Sequence, residues 1–383
     1  MKIFISAGDP SGDLHGANLI KEISEKVQNP QVELFGFGGS KMANAGADVF
    51  DKIADSSIIG FWEPVKNLAR LKRNLNLAEK FFIKDKPEGL IIIDYYGYNI
   101  HLAKLAKKHK IPVIYYISPQ VWATRGGRVQ KIKKFVKKVL VIFPFEKEIY
   151  ERAGIPVEFV GHPLLDIIPN SLTRLPPISD PKGSATVGGY NPLTIGLMPG
   201  SRIQEINKHF TQFYEAFVNI GKVNSDVKAI IPVFSDNIKN YIINHFKLDE
   251  KKVEFVMHGD YEKRSKMSLC ITSSGTATVE NMILGVPMLI SYKTSWLTYQ
   301  IAKRLINVKF IGMPNILAER EICQELIQNE ATAEKISAKC LEILKNGKIL
   351  EKMRYDLAET SQKLGGAGAT KRAAEIILEE FSV

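Results

Sequence analysis

Cysteine is scarce in this chain: three in 383 residues (Cys270, Cys323, Cys340), widely spaced, with no CxxC pair and no metal-ligand spacing. That excludes a disulfide framework and a thiolate metal site, and it fits buried thiols in a reducing compartment. No run approaches the roughly 18 apolar residues needed to cross a bilayer. The opening MKIFISAGDPSGD holds too short an apolar stretch for a secretory signal. The expectation is a cytoplasmic protein, free to lie against a membrane. G-x-G-x-x-G is missing after the first strand, the later Gly36-Phe37-Gly38-Gly39 puts Lys41 where a final glycine belongs, and no Walker A pattern occurs. Asp-x-Asp is absent too, which leaves no such pair for a divalent ion, and neither a metal nor a cofactor is expected. Acidic residues fall short of basic ones, 41 against 52, a net charge of +11. Such a balance favours anionic partners: nucleic acid, a phosphorylated small molecule, or a membrane surface.

What is present reads as α/β. Hydrophobic residues at 45% and charged residues at 24% describe a well-cored globular chain, long for one domain and comfortable for two. Short apolar runs alternate with helical patterns: KIFISA (2–7), VELFGF (32–37), GLIIID (89–94), PVIYYIS (112–118), VLVIF (139–143) and VEFVG (157–161). After a Pro-, Ser-, Gly- and Thr-rich stretch the alternation restarts with TIGLM, AIIPVF, VEFVM, LCIT and PMLISY. The expected division is a first Rossmann-like domain over 1–168, a linker over 169–192 and a second over 193–355, with the closing helix of 356–383 free to pack back on the first.

Chemistry is expected in the turns that follow the strands, because open parallel sheets bind ligands at the carboxyl ends of their strands. The stretch 267–293 reads as strand, small-residue turn (Ser273-Ser274-Gly275-Thr276), helix through Leu284, a stop at Gly285, then strand. Its turn would present backbone N–H groups at the positive end of a helix dipole, a place for phosphate. Glu280 is one residue too far from Thr276 for a capping box, which leaves it free to accept from ribose hydroxyls, or to be an ordinary surface acid. Gly200-Ser201-Arg202 precedes another helix. Ser201 and Gln204 fit a capping box, whereas a cation at Arg202 opposes the dipole unless an anion binds there. Asp94 ends an apolar strand, and a helix is expected from Ile100 with Asn99 as its cap, which leaves Asp94 for the crevice.

Two basic features read differently. In PVKNLARLKRNLNLAEKFF (64–82), Val65, Leu68, Leu71 and Leu75 share a helical face flanked by Lys66, Arg70, Lys72 and Arg73. The face is either a core contact or, with Trp62 beside it, a membrane contact. Lys133, Lys134, Lys137 and Lys138 lack any nucleic-acid module around them, and nucleic acid is not expected as a partner.

The motifs AGDPSGDLHGA (7–17), IIGFWEPV (58–65), IDYYGYN (93–99), SPQVWA (118–123), FPFEKEIY (143–150), GHPLLD (161–166), MPGSRIQEI (198–206), SSGTATVE (273–280), GVPMLISYK (285–293) and MPNILAERE (313–321) occur in one order across essentially the whole chain. In that order they resemble the lipid-A-disaccharide synthase family, membrane-associated glycosyltransferases with two Rossmann-like domains facing a cleft (GT-B type). The resemblance implies transfer of diacylglucosamine from UDP to diacylglucosamine 1-phosphate with inversion. It implies Asp94 as base, and Arg202 with the two helix N-termini (Gly200, Ser201; Ser274, Gly275, Thr276) on the departing diphosphate. Glu280 and Asn315 would lie on the nucleotide, and Asp9, Ser11 and Asp13 on the acceptor side. Asp9 stands where the family usually has Glu, and Gly97 where some members have a second Asp. The implied partners are the UDP-sugar donor, the acylated acceptor and the anionic cytoplasmic face of the inner membrane, with a homodimer left open. A UDP-sugar 2-epimerase of the same architecture and a non-enzymatic anion-binding protein are the other readings.

Overall fold

The computed structural model describes residues 1–26, 32–56, 64–123, 127–173, 193–294 and 309–382. It divides into two compact units, Met1–Asp166 with Leu364–Val383, and a second within Ile167–Lys363.

In the first unit seven parallel strands are ordered β3-β2-β1-β4-β5-β6-β7. They are β1 Lys2–Ala7, β2 Glu33–Phe37, β3 Asp48–Asp51, β4 Gly89–Ile93, β5 Val113–Tyr116, β6 Lys138–Val141 and β7 Val157–Phe159. All five residues of β4 are buried, as a central parallel strand with both faces covered requires. Phe4 packs edge-on against Phe37 at 5.3 Å and Phe82 at 5.2 Å, and Ala78, Ala103 and Ala106 let the covering helices approach. The second unit orders six parallel strands β10-β9-β8-β11-β12-β13. These are β8 Thr194–Met198, β9 Lys228–Val233, β10 Val253–Met257, β11 Leu269–Thr272, β12 Met288–Tyr292 and β13 Glu325–Ile327. In both sheets the first strand has its successors on both sides, so the winding reverses beside β1 and beside β8. Those reversals set the ligand crevices of such sheets, next to β4 and next to β11.

Two helices begin earlier than the sequence pattern indicates. Helix Pro10–Lys26 starts with proline in its first turn, where the missing N–H costs nothing. Helix Tyr96–Lys108 takes in Asn99, which is therefore not its cap. The closing helix Ala369–Phe381 belongs to the first unit. The Phe381 ring lies where a side chain at Gly89 would be, and Asp166 caps the helix. The Asp166 carboxylate accepts from the backbone N–H of Gly368, Ala369 and Thr370, and from the Thr370 hydroxyl at 2.8 Å. Arg372 answers by donating to the carbonyls of Val160, Gly366 and Ala367. Asp166→Ala should cost about 2 kcal/mol, the upper end for an N-cap. Urea unfolding checks it, and an unchanged midpoint would show that the closing helix needs no such clasp.

Helix Pro64–Asp85 decides part of the basic-stripe question. Leu71 and Leu75 are partly buried against the core of the first unit, so for these two the membrane expectation is corrected: the sheet already uses that face. Two of the flanking cations are paired within the unit. Arg70 and Arg73 both bond Asp51, and Asn74 donates to it at 2.8 Å. Burial pushes the Asp51 carboxyl up, but Arg70, Asn74 and Arg73 overcome it and hold the group at about 2. Trp62 and the side chains of Val65 and Leu68 lie outside the described residues. No described helix is long and apolar enough to cross a membrane.

Candidate active site

Asp94 follows β4, and the backbone there is unusual. Asp94 and Tyr95 both have left-handed φ, +42° and +45°, and on the neighbouring strand end Ile117 has +56°. A β-branched residue in that region is strained, and such strain of about 1–3 kcal/mol per residue persists only where surrounding contacts impose it. The contacts are visible. The Asp94 N–H donates to the carbonyls of Tyr116 (3.3 Å) and Ile117 (3.2 Å). Its carbonyl accepts from the Tyr115 hydroxyl (2.8 Å) and from Asn99 Nδ2 (2.9 Å). Asn99, fully buried, also donates to the Ile93 carbonyl and accepts from Ser6 Oγ at 2.8 Å, which ties β1 to the end of β4. The Asp94 side chain stays partly exposed while its backbone is pinned. Residues Ala7 and Ile93 are register partners, so the Asp9 turn and the Asp94 turn leave neighbouring strand ends. The Tyr95 ring covers Gly8, where an added Cβ would overlap it.

The acceptor-side expectations divide. Asp9 caps helix 10–26, its Oδ1 accepting from the Gly12 N–H at 2.7 Å, and remains partly exposed, as does Ser11. Asp13 is only 3% exposed. Its carboxylate accepts three backbone N–H bonds, from Gly39 (2.7 Å), Met42 (3.1 Å) and Lys41 (3.1 Å). Asp13 thus braces the Gly38–Met42 turn, and the expectation that it contacts substrate is corrected: a carboxylate has about four acceptor positions and three are taken.

In the second unit the turns after β8 and β11 are adjacent, and the Ser273 N–H donates to the Met198 carbonyl at 3.0 Å. Helix Thr276–Ile283 has Gly275 as N-cap with no capping side chain, and both Gly275 and Thr276 are exposed, so its first N–H groups lack a side-chain acceptor. That is where an anion gains most. Ser274 is instead turned away, its hydroxyl donating to the Ile311 carbonyl at 2.7 Å. The turn after β8 differs from expectation. Helix Ile203–Val223 has Arg202 as N-cap, and Glu205 folds back to accept from the N–H groups of Ser201 (2.8 Å) and Arg202 (3.2 Å). The box is one residue later than Ser201/Gln204, and its carboxylate occupies the amides assigned to phosphate. Glu205 in the first turn also offsets the dipole, so Arg202 poses no electrostatic puzzle. Gly200, at φ +128°, is required because a Cβ would strike the Glu205 side chain. One helix N-terminus and the exposed Arg202 guanidinium therefore remain for an anion, in place of two N-termini.

Glu280 and Asn315 are corrected as well. Glu280 is 2% exposed; its Oε1 meets His258 Nε2 (3.0 Å) and accepts from the Tyr261 hydroxyl (3.0 Å), and its Oε2 accepts from the fully buried Arg264 (2.9 Å). Burial works to raise this carboxyl, but Arg264 and His258 hold it down to about 2. Asn315 is fully buried and satisfied: Nδ2 donates to the Cys323 carbonyl and Glu325, and Oδ1 accepts from the N–H groups of Ile322 and Cys323. Neither is free to be an exposed nucleotide contact; Glu280 keeps at most one acceptor position.

Sequence reasoning gave no part to Glu205, Arg264, His258 or the buried Glu146. Glu205 was legible, three residues after Arg202 where a helix begins. The other three depend on partners brought together by the fold.

The comparisons with known proteins follow the same geometry. A family model described as lipid-A-disaccharide synthetase matches residues 3–381. A lipid-A-disaccharide synthase of Geobacter sulfurreducens is 38% identical, covering 99% of this chain and 97% of that one. Another, of Coxiella burnetii, is 32% identical over 98% of this chain and 97% of its own length. Among solved structures, a putative UDP-N-acetylglucosamine 2-epimerase of Listeria monocytogenes has a TM-score of 0.64 at 12% identity, covering 99% of this chain and 96% of that chain. MurG of Acinetobacter baumannii has a TM-score of 0.56 at 13% identity, covering 99% of both chains. At such identities these two speak for the fold alone, two Rossmann-like domains of GT-B type. With one family model spanning nearly every residue and relatives this similar along almost their full lengths, the chain belongs to the lipid-A-disaccharide synthase family.

Proposed function

We propose that the protein is an inverting glycosyltransferase. It moves 2,3-diacylglucosamine from UDP to the 6-hydroxyl of 2,3-diacylglucosamine 1-phosphate (lipid X), and the products are lipid A disaccharide 1-phosphate and UDP. One observation carries the reading beyond family membership. Asp94, on a strained and pinned turn, follows the strand at the winding reversal of the first sheet, and the uncapped 276–283 helix with Arg202 stands at the reversal of the second. Asp94 takes the proton of the acceptor hydroxyl as that oxygen attacks C1 of the donor sugar. The bond from C1 to the β-phosphate oxygen breaks, and UDP leaves with the electron pair. Arg202 and the N–H groups at Thr276 meet the charge that develops on the diphosphate. Asp9 and Ser11 line the acceptor side.

Acylated substrates are met at a membrane, and the net charge of +11 supports docking on the anionic cytoplasmic face of the inner membrane. Cosedimentation with anionic vesicles, lost as salt rises, is the expected result; binding equal to that on neutral vesicles would contradict it.

Arg202→Ala tests the donor side. The backbone N–H at position 202 is still present to bond Glu205, so the fold should hold, while kcat falls about 10²–10³-fold, the usual loss for one charge-stabilising donor. Inhibition by UDP should weaken in parallel. A turnover within a few-fold of wild type would remove Arg202 from the leaving-group site. The epimerase reading is not favoured, because relatives at 32–38% identity are synthases, whereas epimerases match only in fold.

A further inference from the structure

Behind the Asp94 turn, the loops that follow β5 and β6 bring together buried polar groups to which the proposed mechanism gives no task. Glu146 lies in the first turn of helix Pro144–Arg152 and is 1% exposed. Its carboxylate accepts from the Phe143 N–H at a long 3.4 Å and is also approached by the Ile142 N–H, and among the described residues no cation pairs with it. The Trp122 indole N–H approaches the carboxyl without completing a hydrogen bond. The ring of Trp122 is held edge-on to Phe145 at 5.6 Å, and Phe145 stacks on Phe143 at 5.7 Å. The hydroxyls of Ser118 and Tyr150 lie close together, both buried, and neither completes a hydrogen bond. Buried polar groups are nearly always satisfied, so three unpaired donors beside an enclosed carboxyl need a reason. The helix does not supply it: a Glu in a first turn is ordinarily a solvated cap, not an enclosed one.

Among the described residues, the charged groups around this cluster are few. Asp94, from the turn after β4, is close enough for its charge to disfavour ionisation of Glu146. Tyr115 on β5, Tyr96 on helix 96–108 and Tyr150 itself are neutral phenols whose ionisation is pushed upward by burial. Arg128 sits over the Tyr96 ring at 5.0 Å, and His162 packs on Phe143 at 5.2 Å with its Nδ1 accepting from the Leu164 N–H. A carboxyl enclosed in this way is neutral at pH 7, its pKa lifted to about 8, first by desolvation. It can then donate one hydrogen bond and adds no negative charge behind Asp94. Once ionised, it would do the reverse: a second carboxylate beside the first opposes its charge.

We propose that Glu146, enclosed behind the Asp94 turn and beside the Trp122 indole, is a positioning residue for the transfer reaction, setting the placement of the 118–123 loop and of the Asp94 turn next to it. The proposal rests on Asp94 as the base. Glu146 itself touches no reacting atom.

The test is a pH–rate profile together with melting curves for the wild type, Glu146→Gln and Trp122→Phe. Wild-type kcat should fall on an alkaline limb near pH 8, and Glu146→Gln, neutral at every pH and nearly the same shape, should keep activity and lose that limb. Trp122→Phe retains the ring packing but removes the N–H that favours the charged form, so its limb should move to higher pH. The stability sign is independent of catalysis. The carboxyl is raised from 4.5 to about 8 in the folded protein, so the unfolded chain binds fewer protons between those values and wild-type stability falls as pH rises from 4.5 to 8. Glu146→Gln should therefore melt higher than wild type at pH 8, and the difference should vanish near pH 4.5. An alkaline limb unchanged in both variants would overturn the positioning role, and a Gln variant no more stable than wild type at pH 8 would overturn the neutral carboxyl. If Asp94→Asn kept full turnover, the base assignment would fall by itself, while the melting signature of Glu146 would still be read.

Discussion

Asp94→Asn is expected to lower kcat about 10²–10⁴-fold, the range for losing a positioned general base, with little change in melting temperature. The reason lies in the backbone. Position 94 has φ +42°, which Asn adopts more readily than other non-glycine residues, and the bonds from Tyr115, Asn99, Tyr116 and Ile117 meet the backbone N–H and carbonyl of residue 94, which Asn keeps. Asp94→Ala removes the same carboxylate but places Ala in the left-handed region, which adds about 1–2 kcal/mol of backbone cost. The two variants should therefore be equally inactive and differ in stability. Asn99→Ala should act on the same turn without touching the carboxylate: it removes the bonds to Ile93, Asp94 and Ser6 at once. Turnover by Asp94→Asn close to wild type would leave Asp94 as a residue that merely shapes the turn.

The second large effect is on stability. Arg264→Met leaves Glu280 buried without its cation, and breaking such a pair from one side costs about 3–5 kcal/mol. Glu280→Leu should be as damaging, since Arg264 is fully buried beside it, whereas the double replacement should recover much of the loss. The pH dependence follows from the depressed carboxyl. Glu280 is lowered from 4.5 to about 2, so the network contributes in full above 4.5 and its contribution is lost as pH falls toward 2. The acid limb of a wild-type melting curve should be shallower once the pair is replaced by apolar residues. Because Glu280 lies on the 276–283 helix, single variants should also weaken UDP binding, whereas the double variant should retain more of it. A single variant as stable as wild type would show that His258 and Tyr261 suffice for Glu280.

Much of this architecture was legible because parallel strands buried on both faces must be continuous apolar runs. LIII, TIGL and LCIT declare themselves at positions 90–93, 194–197 and 269–272. The two strands that no pattern marked, Asp48–Asp51 and Glu325–Ile327, are edge strands of three or four residues, partly solvated and carrying charge. The turns of the site were legible from the strand-to-helix rhythm. Their hydrogen bonds were not, because the partners lie far away in sequence: Asp13 is taken up by Gly39, Lys41 and Met42, and Glu280 by His258, Tyr261 and Arg264. Residue type shows that a carboxylate is present, and only the fold decides whether it faces a ligand or a backbone amide. Glu205 went the other way, a local pairing three residues after Arg202 that took two amides from the expected phosphate site.

The most direct measurement is a detergent-micelle reaction of the purified protein with UDP-2,3-diacylglucosamine and 2,3-diacylglucosamine 1-phosphate, its products resolved by mass spectrometry and the new linkage by NMR. The account predicts UDP and disaccharide 1-phosphate in equal amounts, joined by a β-anomeric bond to the acceptor's 6-position and formed only when both substrates are present. An α-linked product would contradict the single displacement with Asp94 as base. Consumption of the UDP-sugar without acceptor, giving its C2 epimer, would contradict the transferase itself.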